Sequence, residues 1–160
     1  MSGNERPPTI GQLLGEEVAQ LRGFLVLLGR EERALIDGEV DCLPPIVDEK
    51  NALFAQLARL GESRGETLAA AGFAHGRQGM EAWLERHPDK ADARRDWLEL
   101  LALADKANGL NRSNGELIAM RLTGNQQALA TLMTAANQGS LYGPDGQAKP
   151  LGGGRSLGSV

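Results

Sequence analysis

Apolar residues recur in alternating steps of four and three along most of this chain, the spacing that lays a narrow seam along an α-helix. The first run takes in Leu14, Val18, Leu21, Leu25, Leu28 and Leu35, broken only by Glu32. A Thr9/Gln12 capping box directly after Pro7-Pro8 starts it, and Gly38 stops it. The second run, Ile46, Leu53, Leu57 and Leu60, has Lys50 as its single polar member. Asp41 is placed to cap this helix. Pro44 and Pro45 fall in its first turn, where the missing N–H groups have no intrahelical partners. The connection from Gly38 to Asp41 is short, which makes the two helices antiparallel neighbours. It also brings Lys50 near the level of Glu31 and Glu32. A Glu32–Lys50 pair is one expectation there; two side chains snorkelling to water is the other.

Gly61 ends or bends the second helix, and residues 63–71 form a short one after it. Gly72 to Gly79 is a loop, and Gly79 to Arg86 a turn or two of helix carrying Trp83, stopped before Pro88. Asp89 is the next cap. The wide apolar face of Trp97, Leu98, Leu100, Leu101, Leu103 and Ala104 exceeds what one partner needs, so several helices meet there. By propensity Asn108-Gly109 and Asn114-Gly115 are turns. Yet Trp97, Leu101, Ala104, Asn108, Asn111, Gly115, Ile118 and Leu122 keep the heptad phase across both. One helix from about Lys90 to Thr123, locally weakened, satisfies that phase. Gly124 and Asn125 then stop it and cap a last amphipathic helix over 125–137, with Leu129, Leu132, Met133 and Ala136 on one face. Beyond Asn137 the periodicity ends. The expected fold is all-α: long antiparallel helices in a three- to four-helix bundle with coiled-coil-like packing over residues 1–137, plus a flexible C-terminal tail over 138–160.

Composition narrows the function classes. The chain has 160 residues, enough for one domain, with 41% hydrophobic and only 4% aromatic residues, a mixture suited to helices packed by aliphatic side chains. Its net charge is -4 and no basic cluster is interleaved with aromatics, so nucleic acid is not an expected partner. Cys42 is the lone cysteine, which points to a reducing compartment. No signal-like segment or membrane-length apolar run is present, so a cytoplasmic protein with no membrane insertion is expected. No phosphate-binding loop, dinucleotide fingerprint or Glu-x-x-His pair occurs. His75 and His87 fall in predicted loops far from Cys42 in sequence. An enzymatic reading requires one of these three to line a polar pocket. No catalytic, metal or cofactor site is expected.

Two features remain for partners. The stripe of Leu129, Leu132, Met133 and Ala136 either completes the chain's own bundle or packs a partner's helix, with Met120 and Met133 supplying adaptable contacts. Leu141-Tyr142, in a turn-rich run and including the only tyrosine, offers an apolar anchor on a tether.

On these residues the chain resembles the FlgN family, export chaperones of the bacterial flagellar secretion system. The likeness lies in Glu49-Lys50 before Leu53, in Trp97, in Asn111 with Asn114-Gly115, in Leu117-Ile118, and in Gln126-Gln127-Ala128-Leu129. The run from Leu141 through Tyr142 and Gly143 to Gln147 completes it. The resemblance implies a helical cytoplasmic chaperone that binds hook-associated (hook–filament junction) proteins, prevents their premature assembly and delivers them to the cytosolic domain of the export gate. It places the client on Leu122, Leu129, Leu132, Met133 and Ala136, and gate docking on Leu141 and Tyr142. A structural coiled-coil adaptor of a bacterial assembly is the alternative.

Overall fold

The computed structural model describes residues 5–139, which are helical between short turns, with no strand among them. Helix α1 spans Ile10–Asp37, α2 Leu43–Ala70, α3 Arg77–Arg86 and α4 Ala91–Gly139; a 3-10 turn, Val40–Cys42, joins the first two. The chain divides into two compact units between Leu117 and Ile118. In the first, α1 and α2 pack antiparallel, and α4 up to Leu117 runs alongside α1 in the same direction. The all-α bundle read from the sequence is the fold observed.

Local chemistry sets the helix ends. The Thr9/Gln12 capping box forms, so the first free N–H groups of α1 are satisfied by side-chain oxygens. Gly38 terminates α1 in the left-handed conformation at φ 76°, and the Glu39 N–H reaches back to the Ala34 carbonyl at 2.9 Å. Asp41 does not cap α2. It falls inside the 3-10 turn, and α2 begins at Leu43 with no side-chain cap, its prolines in the first turn.

The inner seam of α1 is Ile10, Leu14, Glu17, Leu21, Phe24, Leu28, Glu31 and Leu35, all buried. It shares Leu14, Leu21, Leu28 and Leu35 with the apolar seam of the sequence; Val18 of that seam is buried as well, next to Glu17, and Glu31 takes the place expected for Glu32. The short helix expected after Gly61 is not separate: α2 runs unbroken to Ala70. The reason is that its seam continues through Leu57, Leu60, Arg64 and Leu68, so tertiary packing on Leu68, which is wholly buried, outweighs one interior glycine costing about 1 kcal/mol. Helix α4 likewise passes through Gly124 and Asn125 without the expected stop. A helix-interior glycine weakens a helix; it ends one only where the backbone turns to positive φ, and Gly38, Gly72 and Gly76 are the described glycines that do so.

The core is aliphatic with two tryptophans. Leu14, Leu28, Leu68 and Met80 are completely or almost completely buried, with Trp83 and Trp97 beside them. Helix α3 closes one end: its first turn lies under the Ala74 carbonyl, so close that a Cβ on Gly79 would stand 1.6 Å from that oxygen. We expect Gly79→Ala to lose about 2–3 kcal/mol in urea unfolding, because a backbone must move. Gly124→Ala, with open space around its Cβ, should instead raise helicity by circular dichroism. Equal stability of Gly79→Ala and the parent would contradict the packing described for α3.

Candidate functional site

Two polar layers interrupt the apolar seam of the first unit, each joining three helices. In one, Arg64 of α2 donates from Nε and Nη2 to the two carboxylate oxygens of the buried Glu17 of α1, at 2.7 and 3.3 Å. The same guanidinium lies over the Trp97 ring of α4, 5.1 Å from its centroid. In the other, the Lys50 ammonium donates to both Glu31 oxygens at 3.1 Å and to Asn111 Oδ1 at 2.9 Å. Asn114 Nδ2 donates to Glu31 Oε1 at 2.9 Å and to the Leu28 carbonyl at 3.0 Å. Glu31 and Asn114 are 2% and 1% exposed, so these bonds stand in for water that the carboxylate has lost.

The spacing of the layers matters. Glu17 and Glu31 are two heptads apart on α1, as Lys50 and Arg64 are on α2. Slipping α2 by one heptad would set Leu57 against a buried carboxylate, an unpaired charge in a dry seam. Polar pairs of this kind fix register at a cost in stability. The Glu32–Lys50 pair expected from the sequence is therefore corrected to Glu31–Lys50. Along α4 the buried positions are Ala93, Trp97, Leu100, Ala107 and Asn114, one step away from the Leu101, Asn108 and Gly115 that the heptad count favoured. Asn108 and Gly115 are exposed.

Beside this layer, α1, α2 and α4 enclose an open cleft of about 400 Å³, floored by Leu21 and Phe24 and edged by Phe54, Leu57, Asn108 and Asn111. Residues singled out for chemistry lie elsewhere. Cys42 is exposed at the α1–α2 turn. His75 packs against Gly65 in the loop after α2. His87, past α3, stacks on Trp83 at 4.4 Å between ring centroids, its Nδ1 2.7 Å from the Trp83 carbonyl. The length of α2 separates Cys42 from both histidines by about 40 Å, so no Cys–His pair is assembled. No group of three or more His, Cys, Asp or Glu among the described residues could hold a metal ion. No helix among them is long and apolar enough to cross a membrane.

In the second unit, the residues read as client-binding are exposed on α4. Leu122, Leu129, Leu132 and Met133 are 57–67% exposed, Ala136 is exposed, and Ile118 and Met120 are exposed with them. Leu141 and Tyr142 lie outside the described residues.

The family model described as FlgN protein matches residues 8–150. A relative from Yersinia enterocolitica, named flagella synthesis protein FlgN, is 30% identical over 138 residues, covering 85% of this chain and 86% of its own length. One of the same name from Proteus mirabilis is 29% identical over 140 residues, covering 86% and 88%. No solved structure matches the chain. By class, then, this is a helical protein of flagellum synthesis. It belongs to the FlgN family.

Removing one member of the Glu31–Lys50 pair should be costly and removing its charge partner as well should restore much of the loss. Lys50→Met is expected to cost about 3 kcal/mol in urea unfolding, and Glu31→Gln with Lys50→Met markedly less. A double variant no more stable than the single one would show that Glu31 carries no buried charge needing Lys50.

Proposed function

We propose that the chain is a cytoplasmic chaperone of flagellar type III export that binds hook-associated, hook–filament junction proteins and hands them to the export gate. The observation that carries this reading is the exposed stripe on α4. Leu122, Leu129, Leu132, Met133 and Ala136 are apolar, regularly spaced and exposed to water. Large apolar side chains grouped on one face of a soluble helix mark a surface made for a partner.

The physical requirement of the task matches that surface. A junction subunit has to reach its assembly site before its terminal helices associate, so those helices need a temporary cover. An amphipathic helix covers another by burying seam residues at roughly 25 cal/mol per Å², less the freedom lost on association. Such a complex is held by contact alone. Handover at the gate then proceeds by competition for the same apolar residues, with Leu141 and Tyr142 as the docking anchor. Membership of a family whose relatives are named flagella synthesis proteins supports the flagellar setting.

Changing Leu129, Leu132 and Met133 together to glutamine should abolish co-purification with a hook–filament junction subunit while leaving helicity by circular dichroism and the urea midpoint in place. Loss of helicity together with capture would assign the stripe to the chain's own packing. Tyr142→Ala should leave capture intact and reduce secretion of the junction subunit; unchanged secretion would remove Tyr142 from the gate contact.

A further inference from the structure

The stripe on α4 contains a polar residue in line with its apolar ones. Ile118, Leu122, Asn125, Leu129, Leu132 and Ala136 follow one another in steps of four and three, and each is exposed. So strict a spacing makes a seam one helix wide, narrower than the face of a helix that packs against several neighbours. Asn125 sits in the middle of it. From Leu122 to Gly139 the sequence has no Asp, Glu, Lys or Arg. Past Arg121, the residues flanking the seam, among them Ala128, Met133 and Ala135, are therefore uncharged as well.

These features specify the occupant. In a paired-helix seam, charged flanks usually choose partner and alignment; past Arg121 no charge is available to do so. A charged residue on the partner brought against Ala128 or Ala135 would lose water and gain no counter-ion. The fitting surface is thus a helix with an apolar heptad seam and uncharged flanks. One element of the α4 seam still distinguishes one alignment from another. A buried side-chain amide left without a hydrogen-bond partner is penalised, and an amide facing an amide is not. We propose that Asn125 is the register-setting residue of this surface, selecting a single partner helix that carries a side-chain amide within its own apolar seam. The inference rests on the reading of this stripe as the client surface and adds to it which client helices fit and how they align.

The test uses the full chain and two synthetic helical peptides with uncharged flanks, one with a leucine seam throughout and one with a single asparagine in mid-seam. Binding is measured by fluorescence anisotropy at low and high salt. The parent chain is expected to favour the asparagine peptide by about tenfold, and Asn125→Leu to reverse that preference, with neither affinity depending steeply on salt. Circular dichroism checks that the variant keeps its helix. A preference unchanged by Asn125→Leu overturns the role of Asn125. Failure of both peptides to bind the parent overturns the single-helix occupant. If a junction subunit is still captured through Leu129, Leu132 and Met133 in either case, the chaperone reading stands and only this inference falls.

Discussion

Everything in the first unit is arranged around a carboxylate that has been taken out of water. Glu31 is buried between α1, α2 and α4, where Lys50 and Asn114 both donate to it. An ionised group in that position is stable only with its partners in place, so the three helices are held in one alignment. Glu17, with Arg64 and Trp97, repeats the device two heptads away. Aliphatic seams with a uniform repeat slide at little cost; two charged layers at matched spacing make every other alignment expensive. The buried leucines supply most of the stabilisation, and the polar layers decide which arrangement it stabilises.

This division of labour has a consequence for α4. Its inner positions as far as Asn114 are occupied with α1 and α2, through Ala93, Trp97, Leu100 and Ala107. The residues of the second unit, from Ile118 onward, present Leu122, Leu129, Leu132 and Met133 to solvent. One helix thus carries two kinds of sequence. Its first part mixes apolar seam with charged exterior, while the part after Arg121 lacks charge and keeps the heptad spacing. That part offers no charge for salt to screen.

Much of the fold was legible from spacing. The start of α1 at its capping box, its stop at Gly38, the antiparallel α1–α2 pair and the continuity of α4 through Asn108-Gly109 and Asn114-Gly115 all follow from period and turn chemistry. What spacing could not resolve was which of two adjacent seams faces inward. Counting only apolar residues finds Val18 and Leu25, which do pack in the core, but passes over Glu17, because a buried glutamate looks like an exterior residue until its partner is known. The same bias passed over Glu31 for Glu32, and favoured Gly115 on α4 where Asn114 is buried, while Asn111 does join the layer through Lys50. The clue was present in complementary form: Lys50 and Arg64 are the cations of the α2 seam, two heptads apart, and the carboxylates at that spacing on α1 are Glu17 and Glu31. Glycine was over-weighted too. Gly61 and Gly124 have helical neighbours on both sides, and a cost of about 1 kcal/mol does not end a helix that is otherwise favourable.

The chain divides into a register-locked bundle through Leu117 and, from Ile118, a helical stretch with exposed apolar residues. Shortening the chain after Thr123 addresses that separation directly. The shortened protein and the full one are each mixed with a purified hook–filament junction subunit, complex formation is followed by analytical ultracentrifugation, and urea unfolding is recorded in parallel. The shortened chain is expected to unfold cooperatively near the parent midpoint and to form no complex. A shortened chain that binds the subunit as tightly as the full one would contradict that expectation.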